Sequence, residues 1–385
     1  MRVAADLIQV RDQTQLWGDS FEREMAGILA LQNDVAREVA KVLALKLLPS
    51  EQALLAKARP VNPEAHDAFL RGHFYVMKIA PGDLDIAEKY LDLALEKDPT
   101  YAPAYAGRAW MWSVRRAFGY SAPEEAGPKA KAAALRAIEL DDNLAAAHEA
   151  LAVVRWAIEW DWDGAWESFR RAVELNPNSA FAQGNYAWLL LTMGQREEAL
   201  VRMEKAVVLD PFNPLVHGWH ALFLYCRRRY DEAISAAREA QRFQQDHPVA
   251  LGALWLAYHG KGMEKEALEA AKDNAKVTYN DPRIQAAIDE GYAQGGYAEA
   301  MKRAAEAMVA RLPEAISLPS DIATYYALAG EKEETIEWLK RGFEVRDFGL
   351  VCIGCYPHFD DLHPDPRFQD LLRKMNLPVR TGKSR

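Results

Sequence analysis

One spacing constrains this chain more than anything else in it. Ala199, Ala233 and Ala267 stand 34 residues apart, as do Gly184, Gly218 and Gly252, and the prolines Pro177 and Pro211. A period in this range is the signature of a stacked helix-turn-helix array. Small residues at Ala187, Ala199 and Ala206 sit where paired helices must approach closely, and the proline separates each second helix from the next first helix. With 50% hydrophobic residues among 385, the chain has enough apolar material for a large core. An array of this kind buries that core between neighbouring units and not in one globule.

The run Gly184-Asn-Tyr-Ala-Trp-Leu-Leu-Leu-Thr-Met-Gly-Gln-Arg-Glu-Glu-Ala-Leu, ending at Val-Leu-Asp210-Pro211, resembles the tetratricopeptide repeat. That resemblance implies an all-α fold, a right-handed α-α superhelix, and binding of a peptide or partner protein on the concave surface. Helix pairs are expected at about 63–99, 103–142, 145–177, 179–211, 214–245, 248–276, 282–310 and 319–346. Pro81-Gly82 reads as an insertion between the helices of the first pair, and Ser121-Ala-Pro123 as a longer loop in the second. The solenoid is expected over 59–349, a capping segment over 350–378 with a short charged helix near Arg367–Met375, and a disordered tail over 379–385.

The first residues differ from the rest. Arg2–Val10 and Gln15–Phe21 read as two strands around a turn at Arg11–Thr14, and 24–48 carries one apolar helical face. The residues Arg2-Val-x-x-x-Leu-Ile, Leu16-Trp17-Gly-Asp-Ser-Phe21 and Ile28-Leu-Ala-Leu-Gln32-Asn-Asp-Val35 resemble the tail of a TolB-like (FlgO-like) α/β domain. Residues 1–58 are thus expected to be a remnant of such a domain, with its earlier strands missing and Met1 a truncated start. In bacterial regulators that domain precedes tetratricopeptide repeats, downstream of a winged-helix, kinase or nucleotide-cyclase module. A lone hairpin is marginal in water, so it is expected to pair with a second copy as a homodimer or to fray.

A net charge of −9 argues against a sequence-independent grip on nucleic acid. No apolar run reaches the roughly 18 residues of a membrane span, the opening residues do not read as a signal peptide, and three cysteines are too few for a disulfide framework. A cytoplasmic location is expected. Enzyme signatures are missing: there is no Gly-x-Gly-x-x-Gly, no phosphate loop, no Gly-x-Ser-x-Gly, and His148-Glu149 fails as a zinc motif because Ala152 stands where the second histidine would be. No catalytic residue and no cofactor are expected.

Four local clusters admit a ligand, and each also has a plainer reading. Cys352-Ile-Gly-Cys355-Tyr-Pro-His358 with His363 offers zinc-ligand types, but Pro357 restricts how they could converge, and a structural cap is favoured. His217 and His220 share a helix and are expected in the packing. Glu159-Trp-Asp-Trp-Asp163 reads as a one-residue loop expansion wedged by tryptophan, and Arg227-Arg-Arg229 as a solvated turn.

In the resembling repeats the fifth, ninth and twelfth residues of each first helix point into the groove. Aligned on Ala152, Ala187, Ala221 and Trp255, the fifth positions are Glu149, Gly184, Gly218 and Gly252. The ninth are Val153, Trp188, Leu222 and Leu256, and the twelfth are Trp156, Leu191, Tyr225 and His259. Repeats that clamp a terminal carboxylate need Lys, Arg and Asn at such places. Here the rows are apolar and aromatic, so an apolar or amphipathic segment is the expected occupant, with the glycines leaving room for its side chains.

Overall fold

The computed structural model describes residues 2–8, 14–22, five residues between 34 and 41, and 61–379 except 313. Most of the helix expected over 24–48, the turn residues 11–13 and the tail at 380–385 lie outside the described residues. Strands β1 (Arg2–Ile8) and β2 (Gln15–Glu22) pair antiparallel in a two-stranded sheet, with an irregularity between Leu7 and Ile8. Gln15 donates to the Asp6 carboxylate at 2.7 Å across the ladder.

From Pro63 onward the chain alternates first and second helices in eight antiparallel pairs: α1 (Pro63–Val76) with α2 (Pro81–Lys97), α3 (Ala102–Ala117) with α4 (Pro123–Leu140), α5 (Ala145–Val153) with α6 (Trp162–Leu175), and α7 (Ala180–Thr192) with α8 (Arg196–Leu209). The array continues as α9 (Pro214–Cys226) with α10 (Tyr230–Phe243), α11 (Pro248–Gly260) with α12 (Glu264–Tyr279), the two limbs of α13 (Pro282–Ala310), and α14 (Pro319–Ala329) with α15 (Lys332–Glu344). Proline opens many of these helices because its missing N–H belongs to the unsatisfied first turn anyway. Some also carry side-chain caps: Asn62 accepts from the Glu64 and Ala65 amides, and Ser179 from that of Ala182.

Pro81 and Gly82 are not inserted between the first two helices; Pro81 is the first residue of α2, and the turn is made by Ile79. Pro123 likewise begins α4.

Each pair turns through one residue in the left-handed region: Ile79, Gly119, Trp160, Gly194, Arg228, Gly262, Gly296 and Gly330. From Trp160 to Gly330 these positions fall 34 apart, so the period runs unbroken through the last pair. Glycine is the low-cost occupant of such a turn; a non-glycine residue there costs about 1–2 kcal/mol. Ile79, Trp160 and Arg228 are the exceptions, and all three side chains are used elsewhere in the fold.

Between Val153 and Trp160 the helix runs on as a π-helix, Val154–Glu159. The extra residue read as a loop expansion is therefore absorbed inside the helix, a wider turn that lets Trp160 reach the left-handed position. Trp162 does act as a wedge, donating its indole N–H to the Met375 carbonyl at 2.8 Å.

Glycines within the helices mark close approaches. A Cβ on Gly291 would lie 2.7 Å from the Ala300 Cα, on backbone that cannot give way, whereas one on Gly252 would meet only the Asn274 amide at 3.5 Å. Gly291→Ala is expected to cost about 2 kcal/mol or more. Gly252→Ala is expected to be neutral or to gain up to about 1 kcal/mol from helix propensity. Chemical denaturation of the two variants checks the contrast.

Candidate functional site

The array curls until its end meets its second and third pairs. Arg116 at the end of α3 donates to the carbonyls of Val345 and Arg346, at 3.2 and 2.8 Å. Arg346 in turn donates to the Glu159 carbonyl at 2.7 Å, and the Trp160 ring packs on Phe343 with centroids 5.8 Å apart. Beyond α15 the chain does not simply cover the last repeat. It passes through two short 3-10 helices, Phe348–Cys352 and Pro357–Leu362, and then α16 (Pro366–Lys374), crossing the π-helix that follows α5 and the C-terminal ends of α7 and α9.

The expected cap is therefore a strap across the concave side. Phe348 meets Trp156 edge to face at 5.4 Å, and the Cys355 thiol donates to the Leu191 carbonyl at 3.2 Å. Tyr225 Oη and His358 Nδ1 share a hydrogen bond of 2.9 Å, and Arg228 pairs with Asp360. Two of the strained turn residues, Trp160 and Arg228, thus hold this closure with their side chains.

Between strap and helices lies a chamber of about 280 Å³. The three rows of sequence-expected groove residues separate cleanly around it. All four ninth-position residues, Val153, Trp188, Leu222 and Leu256, line it, joined by Trp156 and Gly252. Of the twelfth row, Leu191 and Tyr225 are buried under the strap, and His259 stacks on Tyr297 at 5.5 Å. In the fifth row, Gly184 and Gly218 leave no room for a ligand: a Cβ would lie 3.0 Å from the Trp219 ring and from Val249, respectively. Those two glycines admit the chain's own next helix; only Gly252 opens into the chamber. Sequence reasoning missed Trp110, Trp219, Trp255, Asn185, Asp321 and Tyr325, which also line it. Asn185 lies directly after the fifth-row glycine, the one place where the repeat register could have pointed to it.

Two carboxyls, those of Glu149 and Asp321, and the His358 imidazole stand at or beside the chamber. Asn185 donates to the Glu149 carboxylate at 3.0 Å, and Tyr279 donates to Asp321 at 2.8 Å. Burial pushes both carboxyls up to about 7, the nearby Asp347 adding to the shift at Asp321 and the Asn185 bond opposing it at Glu149. Burial also holds His358 down at about 3, so the imidazole on the chamber wall is neutral. Asp347 accepts from the Ser320 amide and hydroxyl and from the Gly349 amide, tying the start of α14 to the strap.

A carboxyl raised on folding stabilises fully below its unfolded value and loses that contribution as pH rises through the folded value. For Glu149 the window runs from 4.5 to about 7. Relative to Glu149→Gln, the wild type is expected to lose about 1 kcal/mol between about pH 6 and about pH 8. The buried histidines titrate with the opposite sign and cancel in that difference, which paired thermal melts would measure.

The other clusters resolve into packing. Burial pushes the Cys352 thiol up, away from the thiolate that metal binding or nucleophilic attack requires. Among the described residues no three His, Cys, Asp or Glu side chains are placed to hold a metal. His217 bonds the Pro211 carbonyl at 2.8 Å and stacks on Phe243. Arg227 pairs with Glu197 and Arg229 with Glu232. No described helix is long and apolar enough to cross a membrane.

No protein-family model matches the chain. A stretch of 106 residues, 28% of the chain, is 28% identical to putative adenylate cyclase 3 of Rhizobium meliloti (strain 1021), of which it spans 18%. Among solved structures, the human IFIT1 dimer with m7Gppp-AAAA superposes with a TM-score of 0.51 at 15% identity, over 82% of this chain and 77% of that one. A monomeric IFIT1 mutant with Gppp-AAAA gives 0.52 at 16%, over 82% and 76%. YrrB, described as a TPR protein with an unusual peptide-binding site, is 24% identical over 50% of this chain and 90% of its own, with a TM-score of 0.30. The fold is a tetratricopeptide solenoid. At these identities the likeness reaches the fold and no further.

Proposed function

We propose that this solenoid is a non-enzymatic interaction scaffold that holds an apolar or amphipathic segment of a protein partner on its concave side, in a bacterial regulatory pathway. The observation that supports this most is the convergence of Val153, Trp188, Leu222 and Leu256 on one chamber with no lysine or arginine among its described lining residues. Large aromatic side chains there offer apolar area at low entropic cost. A wall without cations suits neither the phosphates of a nucleic acid nor a terminal carboxylate. The test is Gly252→Leu, which fills the chamber from a helix position with space for a side chain. A partner recovered by affinity capture should bind this variant at least about tenfold more weakly, with the melting temperature preserved. Undiminished binding would remove the chamber from the account.

A second reading follows from the cyclase match: the repeats serve as the regulatory portion of a larger protein whose output module is a nucleotide cyclase, kinase or DNA-binding domain. The TolB-like resemblance of the first residues fits the same arrangement, with the hairpin as a self-association element. An in-frame output-domain sequence directly upstream of Met1 would support it; an unrelated gene ending there would count against it.

A further inference from the structure

The chamber carries one negative group and several polar atoms with nothing to bond. Asp321 lines it, its carboxylate held by the Tyr279 hydroxyl, and no lysine or arginine stands among the described lining residues. Tyr325 is 1% exposed, lines the same wall, and its hydroxyl has no hydrogen-bond partner among the described residues. The indole N–H of Trp110 and Nε2 of His358, both on the wall, are unpartnered as well. These three polar atoms stand on one wall, where an occupant with polar atoms of its own could satisfy them. Five tryptophans, Trp110, Trp156, Trp188, Trp219 and Trp255, are among its lining residues. Indole faces attract cations, more strongly once water is excluded.

We propose that the chamber binds an organic ammonium, its apolar body between the indoles and its charged head at the Asp321 carboxylate. A carboxylate ligand would face Asp321 as a like charge, and a purely apolar one would leave Asp321 and Tyr325 unanswered. The volume of about 280 Å³ is near the lower end of small-ligand sites, enough for a free amine or for one long side chain of a bound segment. Burial, with Asp347 nearby, raises the Asp321 carboxyl to about 7, and an ammonium beside it favours the ionised form. The inference rests on the chamber's being the binding site and names the chemistry it accepts. A peptide lysine presents the same chemistry from a different source.

Calorimetry on the full chain tests it with four probes: phenylbutylammonium, phenylbutanol, phenylbutyrate, and an acetylated peptide carrying one lysine between aromatic residues. The ammonium should bind at least about tenfold more tightly than the alcohol, with the carboxylate weakest. Asp321→Asn, which keeps an acceptor for Tyr279, should abolish that preference. An alcohol that binds as well as the ammonium overturns the charge assignment and leaves an apolar site standing. No binding by any probe overturns the chamber as a site altogether. A peptide that binds more tightly than the free amine supports a lysine of the protein partner as the source of the ammonium; a free amine that binds more tightly overturns that source. The comparison of probes on the wild type stands even where a variant folds poorly.

Discussion

Removing the chain from Asp347 onward is expected to split a single cooperative unfolding transition into at least two. A simple solenoid is held by nearest-neighbour contacts, and its cooperativity is that of a one-dimensional array. The strap changes this, because it binds the third, fourth and fifth pairs to the eighth. Trp162 holds Met375, Leu191 accepts from Cys355, Tyr225 bonds His358, and Arg367 bonds Glu333 back on α15. It also buries Leu350, Ile353, Phe359, Leu362 and Phe368, each at 4% exposure or less. Full burial of such a side chain contributes about 1.5–3 kcal/mol, so the strap is a substantial tie between the ends. The truncated chain should melt in separate steps and expose the concave aromatics to a hydrophobic dye. A single transition at an unchanged temperature would show that the strap is an appendage.

The largest single-residue effect is expected at Trp156. The side chain is 2% exposed, donates its indole N–H to Thr192 Oγ1 at 3.2 Å, and packs against Phe348 of the strap. Trp156→Ala removes a large buried volume where π-helix, α7 and strap meet, at a site that cannot collapse without moving all three. The expected cost is about 3–5 kcal/mol in equilibrium denaturation. Trp156→Phe keeps the ring contact and loses the hydrogen bond, so about 1–2 kcal/mol is expected there. Equal losses for the two variants would contradict this assignment of the energy.

How far the sequence could be read follows from which contacts are local. The 34-residue period placed the helix pairs, because a repeat's first-to-second helix packing lies within its own stretch. The ninth-position row also follows from local geometry, since Val153, Trp188, Leu222 and Leu256 share one helical register. The continuation of the period through Trp160 and Arg228 was obscured because neither is the glycine that a left-handed turn favours. Their strain is offset by contacts with Phe343 and Asp360, which no local pattern reveals. The strap was hidden for the same reason. Cys355 and Leu191 lie 164 residues apart, and only the accumulated curvature of the superhelix brings them together. The fifth-row glycines misled as to their purpose: sequence shows that space is needed, but Trp219 and Val249, one repeat further on, are what fill it.

The concave chamber has a rival on the outside of the molecule. Val201, Val208 and Phe212 are 65%, 78% and 74% exposed, an apolar strip that a partner could also cover. Photo-crosslinking in the full chain decides between them, with a photoreactive residue placed at Leu222 in one sample and at Val208 in another. The captured partner is expected to form a covalent adduct from position 222 and none from position 208. An adduct from 208 alone would place binding on the convex face and contradict it.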